Sequence, residues 1–376
     1  MKTPIHWPDR NYCRLLISLL LAFYTCDRLP AQTNIASESL VPIGSVSLKG
    51  VEGRLDHLTA DPLSQRLFVA ALENHSVEVI DLKHQQRTHS LSGIMEPQGL
   101  LFVPRSNRLL VCSRGDGTCR SFDASTFEEG PWVDLGRNAD NVRLDQQSGT
   151  AYVGSGGEPG SGLLSVIDLI SLLPPNQGGR SAPPRSPADL LPDRSHQADV
   201  SAEATLPAHP ESFQIDPSKR RAFVNVPDEH QISVVSLTST GIIVSATWPV
   251  TIAQKNFPMT LDADASRLFI ACRIPPCLAS YDTSTGKLLS TNACVGDADD
   301  MFFDARTQNI YVIGGEGFLD VFHVADQGGN ITRIQRIPTG TRARTGLFIP
   351  DLNILAVAVP HTTNGVAAVL LFRTKQ

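Results

Sequence analysis

A short apolar pattern recurs seven times along this chain, and no other sequence feature limits the possible folds as strongly. Equivalent residues of successive copies are separated by 42, 42, 71, 46, 42 and 45 residues. A fixed period of this length is typical of repeat proteins in which each repeat is one supersecondary unit. The seven copies are RLFVAA (66–71), RLLVCS (108–113), TAYVGS (150–155), RAFVNV (221–226), RLFIAC (267–272), NIYVIG (309–314) and ILAVAV (354–359).

Each copy is followed by a second apolar run, which in most repeats ends near Asp. Both runs are rich in β-branched and aromatic residues and are bounded by Asp, Pro, Gly, Ser and Asn, as strands and turns are. About 40 residues with four strands are typical of one propeller blade. The sequence therefore predicts an all-β fold, a seven-bladed β-propeller of four-stranded blades. The second runs are SVEVID (76–81), TCRSFD (118–123), LLSVID (163–168), QISVVS (231–236), CLASYD (277–282), GFLDVFH (317–323) and AAVLLF (367–372).

The two ends of the repeat region complement each other. The last repeat stops after its third strand, whereas the segment 40–48 (LVPIGSVSL) belongs to no other repeat. We expect this N-terminal segment to supply the fourth strand of the last blade, which closes the ring and covers a sheet edge. The propeller domain is therefore predicted to span residues 40–375.

One spacing is longer than the others because about 29 residues are inserted in the third repeat. The inserted segment, 173–202, is dominated by Pro, Gly, Ser and charged residues. This composition predicts a flexible Pro-rich loop between the third and fourth strands of blade 3.

The N-terminus has the pattern of an export signal. Basic residues precede an apolar run of 11 residues (15–25), which is too short to span a bilayer. We predict a signal peptide at residues 1–31 and a secreted or periplasmic mature protein, with an uncleaved anchor as the alternative. No later segment is apolar enough to cross a membrane, and we expect a monomer.

The overall charge bears on possible partners. The formal net charge is -6 and 6% of residues are aromatic. Nucleic-acid binding proteins usually carry a basic surface, and single-strand binders add exposed aromatic rings. The composition therefore disfavours nucleic acid as a partner and leaves an unknown protein or small-molecule ligand.

The repeats resemble those of a known family. AYVGS, AFVNV and IYVIG match the second-strand motif of the YVTN β-propeller repeat, and turns such as Asp61-Pro62 through Arg66 follow its pattern. The mature chain is similar to the YncE-like exported propellers over residues 40–375 apart from the insertion. The resemblance implies the fold and export, but members of such families include binding modules, surface proteins and, in related propellers, lactonases.

Residues that precede the first strand of each repeat should converge at one mouth of the central channel. Aligning the repeats places two sets of residues there. The first set is Asp56, Gln98, Asp140, Glu211, Phe257, Asp299 and Thr345. The second set is His57, Gly99, Asn141, Ser212, Pro258, Asp300 and Gly346. Basic residues nearby are Arg54, His209, Lys255, Arg342 and Arg344.

Five carboxylates around a narrow axis are unfavourable unless something compensates their charge. They could pair with Lys255, Arg342 and Arg344, be protonated, or share a divalent cation. For a cation, the candidate ligands are Asp56, Asp140, Glu211 and Asp299. A purely structural role in loops is the alternative, since Asp and Asn commonly bond local backbone there. No cofactor is indicated with certainty.

Sequence signatures of enzymes are absent: there is no G-x-S-x-G, no H-E-x-x-H and no phosphate-binding loop. The sequence favours a non-catalytic binding or interaction module that contacts its ligand at the channel mouth. The candidate ligand-binding residues are Asp56, His57, Asp140, Asn141, Glu211, Lys255, Asp299, Asp300 and Arg344. The alternative is a lactonase-like hydrolase or lyase that uses a cation and acids at the mouth, so enzymatic activity stays open.

Two cysteine pairs flank equivalent loops between the second and third strands of their blades. Cys112 and Cys119 lie in blade 2, and Cys272 and Cys277 lie in blade 5. An exported protein can form disulfides, and we expect at least one of these pairs to be bonded, with packed thiols as the alternative. Cys294 is the expected odd thiol or a competing partner.

Overall fold

The structure is a computed structural model that describes Met1 and residues 39–157, 160–173, 196–325, 330–363 and 365–375. The described residues from 39 onward belong to one compact unit. The predicted signal peptide and most of the predicted insertion lie outside the described residues. No helix within the described ranges is long and apolar enough to cross a membrane.

Seven antiparallel blades account for almost all described strands. Each blade has four strands, which follow one another along the chain except in the last blade, whose fourth strand comes from the start of the domain. The chain begins with β1 (Leu40–Ser47). Blade 1 contains β2 (Leu58–Asp61), β3 (Arg66–Ala71), β4 (Ser76–Asp81) and β5 (Gln86–Ser92). Blade 2 contains β6 (Pro97–Val103), β7 (Arg108–Ser113), β8 (Thr118–Asp123) and β9 (Glu129–Asp134). Blade 3 contains β10 (Val142–Asp145), β11 (Thr150–Gly156), β12 (Gly162–Asp168) and β14 (Ala202–Leu206).

The remaining blades follow the same order. Blade 4 contains β15 (Phe213–Asp216), β16 (Arg221–Val226), β17 (Gln231–Thr238) and β18 (Gly241–Pro249). Blade 5 contains β19 (Gln254–Asp262), β20 (Arg267–Ile274), β21 (Pro276–Asp282) and β22 (Leu288–Ala293). Blade 6 contains β23 (Ala298–Asp304), β24 (Asn309–Gly314), β25 (Phe318–Val324) and β26 (Ile331–Pro338). Blade 7 contains β27 (Thr345–Ile349), β28 (Ile354–Val359), β29 (Ala368–Thr374) and β1. Short 3₁₀ helices lie at Leu72–Asn74, Pro104–Ser106, Leu169–Leu172, Pro217–Lys219, Pro227–Glu229 and Pro350–Leu352.

The ring closes as the sequence predicts. β1 pairs antiparallel with β29, from Leu40 opposite Thr374 to Ser47 opposite Ala368. Gln335 of blade 6 also bonds the backbone of Leu40 in both directions, at 3.0 Å each. Each first strand contacts the first strands of both neighbouring blades, and β27 contacts β2. The predicted seven-bladed fold and its closure by the N-terminal strand are confirmed.

A residue with a left-handed backbone conformation ends the turn before the second strand of every blade. Side-chain oxygens of Asp at the end of several first strands accept turn N–H groups, as Asp61 Oδ1 does from Ser64 at 3.2 Å. The chain then needs one residue with positive φ to enter the next strand. The seven residues with this conformation are Gln65, Asn107, Gly149, Arg220, Ser266, Gln308 and Asn353.

The hydrophobic core lies between the blades. Leu67 and Val69 of β3 pack against blade 7 residues such as Ala356. Phe68, which points to the other side of the same strand, packs against Leu109 of blade 2. Apolar residues therefore occupy both faces of each second strand, which explains why the seven copies read as continuous apolar runs.

The end of the inserted segment adds a strand to blade 2. β13 (Gln197–Ala198) runs parallel to β9, with Gln197 opposite Trp132 and Ala198 opposite Val133. This part of the insertion therefore covers the outer edge of the preceding blade.

Candidate functional site

The predicted mouth residues lie at equivalent backbone positions just before or at the start of the first strands. The amide of Asp56 donates to Ala70 at 2.8 Å, and the amide of Asp140 donates to Gly154 at 2.9 Å. Glu211 makes the corresponding bond to Asn225 at 3.0 Å. These three acids therefore occupy the same place in their blades, as the repeat alignment predicts.

In blade 7 the alignment is wrong by one residue. Thr345 pairs with Ala358, which is the counterpart of Ala70, so Thr345 belongs to the second set and Arg344 to the first. An alignment of the repeats without gaps does not show this shift. The segment before β27 differs in length from the equivalent segments of the other blades. We call the corrected first set the mouth ring: Asp56, Gln98, Asp140, Glu211, Phe257, Asp299 and Arg344.

Two guanidinium groups bind the Asp299 carboxylate. Arg273 Nη2 donates to Asp299 Oδ1 at 2.6 Å, and Arg344 Nε lies 3.0 Å from Asp299 Oδ2. Arg273 also stacks over the Phe257 ring, with 3.6 Å from Cζ to the ring centroid. Burial still raises the pKa of Asp299, although these arginines lower it. Both oxygens of Asp299 are therefore engaged by cations of the protein itself.

Asp56 is fully buried beside Arg54. Arg54 Nη2 lies 2.6 Å from Asp56 Oδ2 and 4.0 Å from Asp299 Oδ2. The two groups are close, but their geometry is not that of a hydrogen bond, and neither Asp56 oxygen has a hydrogen-bond partner among the described residues. Burial raises the pKa of Asp56 to about 7, against the lowering effect of His57 and Arg54. Loss of hydration therefore outweighs the ion pair at this carboxyl.

His57 connects two acids of the mouth. Its Nε2 lies 3.3 Å from Asp140 Oδ1 and 3.0 Å from Asn141 Nδ2, and its Nδ1 lies 3.5 Å from Asp300 Oδ1. Burial alone would lower the pKa of His57, but the Asp300 and Asp140 carboxylates raise it well above its ordinary value. His57 therefore contributes a positive charge between these acids at neutral pH.

Asp140 is flanked by a second histidine. His209 Nε2 lies 3.6 Å from Asp140 Oδ2, and Asn138 Nδ2 is 3.3 Å from the same imidazole nitrogen. Burial opposes ionisation, but contacts with His209 and His57 lower the pKa of Asp140 well below its usual range. Asp140 therefore favours its ionised form, whereas burial raises the pKa of Asp56 to about 7.

Glu211 differs from the other acids of the mouth ring. Its side chain makes no hydrogen bond or ion pair with any described residue. Burial, together with the charges of Asp140 and Asp299, raises the pKa of Glu211 well above its ordinary value. The charge of Arg273 opposes this rise without reversing it, and no cation of the described residues lies within 4.0 Å of the Glu211 carboxylate.

Two of the predicted basic partners do not reach the acids. Lys255 Nζ lies 2.6 Å from Asp228 Oδ1, and both side chains are largely exposed. Arg342 is exposed and pairs with no carboxylate of the described residues. Lys255 has a left-handed backbone, with φ of 60°, and Asp228 satisfies its ammonium group. The expected pairing with the ring acids therefore holds for Arg344 and fails for Lys255 and Arg342.

Arg273 replaces them, and the sequence did not single it out. It lies at the end of β20, six residues beyond the start of the strand, where the chain enters the loop that joins β20 to β21. A basic residue directly after the run RLFIAC (267–272) of blade 5 was a signal available in the repeat alignment.

The metal candidates do not form a typical metal site. Within the described ranges, no group of three or more His, Cys, Asp or Glu side chains is arranged to hold a metal ion. At Asp299, Arg273 and Arg344 take the places on both carboxylate oxygens where a cation would bind.

A cavity of 350 Å³ lies below the mouth and is lined by the first strands of several blades. His57 and Asp300 belong to its wall, as do Arg143 of β10 and Phe302 of β23. His57 and Asp300 therefore belong both to the mouth and to the wall of the cavity.

Both cysteine pairs are directly opposite each other in antiparallel strands. Cys112 is paired with Cys119, with 2.6 Å between the Sγ atoms, and Cys272 is paired with Cys277. All four are thiols in this structure, and Cys294 is a thiol too. The disulfides therefore stay a prediction, and the register is compatible with both.

Comparisons with known proteins identify the fold alone. No model of a protein family matches the chain, and no curated protein matches it. The solved structure of hydrazine synthase from Kuenenia stuttgartiensis is similar, with a TM-score of 0.66 and 15% sequence identity. The match covers 86% of this chain and 97% of that chain. At this identity the likeness supports the propeller fold and carries no activity over.

Proposed function

We propose that this chain is an exported propeller that acts as a binding module and contacts a ligand bearing a cationic group at the mouth ring. The observation that carries the proposal is the Glu211 carboxyl. Asp299 is bound by guanidinium groups, Asp56 lies beside Arg54, and Asp140 lies between two histidines. Glu211 alone among the ring acids lacks such a partner within the described residues.

A ligand cation would change the balance at Glu211. Glu211 is partly buried, and a carboxyl that loses hydration without gaining a direct ion pair favours its neutral form. An ammonium or guanidinium group bound beside it would favour the ionised form and form a charge-assisted hydrogen bond. We therefore expect ligand binding at neutral pH to release a proton from Glu211.

The alternative function, a lactonase-like hydrolase or lyase, depends on a cation held by the ring acids. Such an enzyme would use the cation to polarise a carbonyl and an acid of the ring as a general base. The arginine contacts at Asp299 occupy the oxygens that this cation would need. The arginine contacts at Asp299 therefore favour a binding role for the mouth over an enzymatic role that needs a cation.

The proposal is tested by thermal unfolding with cationic probes. Agmatine and butylamine are the probes, and 1-butanol is the neutral control. Ligands that bind only the folded state raise the unfolding temperature. We expect both amines to raise it for the wild-type protein and neither to raise it for Glu211→Gln.

The matched control is Glu229→Gln, which removes an exposed carboxylate on the same blade. This variant should respond to the amines as the wild type does. Unchanged unfolding of the wild type with both amines, or an equal shift in Glu211→Gln, would contradict the proposed cationic ligand.

A further inference from the structure

The cavity below the mouth has the dimensions of a ligand site. Its 350 Å³ lie within the roughly 300–1,000 Å³ that small-molecule pockets occupy. Apolar side chains from several blades make up part of the wall, among them Leu101, Phe302 and Leu347.

Arg143 is the cation of this cavity. Its Nη1 donates to the backbone oxygen of Val142 at 2.9 Å, which is the one hydrogen bond of its side chain to the described residues. No described carboxylate oxygen lies within 4.0 Å of its guanidinium nitrogens. The Cζ atom is 5.7 Å from the Phe213 ring centroid, so an aromatic face supports the guanidinium plane.

This arrangement contrasts with the arginines of the mouth. Arg54, Arg273 and Arg344 each lie within 3.0 Å of a carboxylate oxygen. A guanidinium carries five N–H donors, and Arg143 uses one of them within the described protein. Burial lowers the pKa of Arg143, which indicates that its charge is poorly hydrated. Arg143 is partly buried, and a partly desolvated charge without a direct ion pair is costly, so a bound anion would compensate it.

Two threonine hydroxyls of the cavity wall can also donate hydrogen bonds to a ligand. The hydroxyl oxygens of Thr59 and Thr260 accept backbone N–H groups of neighbouring blades at 3.0 and 3.1 Å. Each hydroxyl proton is therefore available for another acceptor. Gln214 donates from Nε2 to Met259 at 3.0 Å, which fixes its amide in the wall.

The acid of the wall is already compensated. Asp300 Oδ2 accepts the Gly346 amide at 2.9 Å, and its Oδ1 lies 3.5 Å from His57 Nδ1. No Asp300 oxygen lies within 4.0 Å of the Arg143 guanidinium nitrogens, although the charges of Asp300 and Asp140 raise the pKa of Arg143 at longer range against the effect of burial.

We infer that the cavity is a second ligand site, which binds a small organic carboxylate against Arg143 with its apolar part beside Leu101, Phe302 and Leu347. This site lies below the mouth ring and does not include Glu211, so it goes beyond the proposed function at the mouth. A planar guanidinium matches the two oxygens of a carboxylate and accounts for the anionic group. The apolar wall favours a carboxylate that carries a hydrocarbon part.

The test is isothermal titration calorimetry of the purified protein at neutral pH with sodium benzoate and sodium propionate. Benzamide is the uncharged match for benzoate, and inorganic phosphate tests another anion. We expect at least one carboxylate to bind, benzamide not to bind, and Arg143→Met to weaken carboxylate binding at least tenfold. Arg105→Met, which removes an exposed arginine on the neighbouring blade, should bind as the wild type does.

Folding of the variant is checked by thermal unfolding without ligand. Replacing a partly buried charge that has no direct ion pair by an apolar side chain of similar size should leave the stability unchanged or raise it. Four results would overturn the site: no binding of either carboxylate, equal binding of benzamide, binding of phosphate alone, or unchanged affinity in Arg143→Met. Glu211→Gln should leave carboxylate binding intact, so failure here and failure at the mouth are separate outcomes.

Discussion

Arg344 Nε lies 3.0 Å from Asp299 Oδ2, and this contact joins two blades that are adjacent in the ring. Asp299 lies near the start of the first strand of blade 6. Arg344 occupies the equivalent position in blade 7, directly before the first strand. A position that holds an acid in four blades therefore holds a base in the seventh. The mouth ring carries part of its own neutralising charge.

Removing that charge should destabilise the protein. Arg344→Met removes the nearer guanidinium from Asp299 Oδ2 and also the Arg344 contact with Asp297, while Arg273 remains on Asp299 Oδ1. A buried group that loses a partner costs about 1–3 kcal/mol. Urea unfolding should show this loss. Lys255→Met, which breaks the exposed pair with Asp228, should change stability by less than about 1 kcal/mol. Equal effects of the two substitutions would contradict the assignment of roles.

The raised pKa of Glu211 predicts a pH-dependent effect of Glu211→Gln. The folded protein keeps the Glu211 proton to higher pH than the unfolded chain does, so wild-type stability falls as pH rises above 4.5. Gln cannot lose a proton. The difference in unfolding temperature, variant minus wild type, should be near zero at pH 4 and become increasingly positive toward pH 8. Glu229→Gln should show a flat difference, and a flat profile for Glu211→Gln would refute the raised pKa.

The ring closure predicts a large effect at the very start of the domain. Leu40 is completely buried and packs with blade 6 and blade 7 residues such as Tyr311 and Leu355. Leu40→Ala should lower the free energy of unfolding by about 2–5 kcal/mol, as for other buried leucines. Ser45→Ala, on the exposed part of the same strand, is the control. A small effect of Leu40→Ala would mean that β1 contributes little to closure.

The left-handed turn residues predict a backbone effect at Gly149. Its φ is 69°, and no atom lies within 4 Å of a Cβ placed there, so a side chain would meet strain and no clash. Gly149→Ala should destabilise by roughly 1–2 kcal/mol. Gln65→Gly at the equivalent turn should have little net effect, because relief of strain is offset by a more flexible unfolded chain. Denaturant unfolding of both variants separates these outcomes.

The fold was predictable because it is encoded redundantly. Seven apolar runs specify the second strands, and five of them, such as RLFVAA and β3, coincide with the observed bounds at both ends. Closure by residues 40–48 followed from the count of strands in the last repeat. The pairing of Gln197 with Trp132 had no such signal, since a two-residue strand in a Pro-rich segment leaves no periodicity.

The site was predictable only in part. The converging acids follow from the repeat, and Asp56, Asp140, Glu211 and Asp299 lie where the alignment places them. Their partners follow from side-chain geometry, which the repeat does not encode. Lys255 and Arg273 are both near the mouth in sequence, yet only Arg273 reaches Asp299. The one-residue shift in blade 7, which exchanges Thr345 for Arg344, is a register detail that spacing alone leaves open.

The central claim is that Arg54, Arg273, Arg344 and His57, rather than a bound metal ion, compensate the charge of the aspartates in the mouth ring. Thermal unfolding with EDTA and with added calcium, magnesium, manganese or zinc tests it most directly, because a cation held by the ring acids would stabilise the folded state. We predict the same unfolding temperature in all five conditions. A rise with one ion that is lost in Asp140→Asn would contradict the claim and favour the cation-dependent lactonase-like alternative.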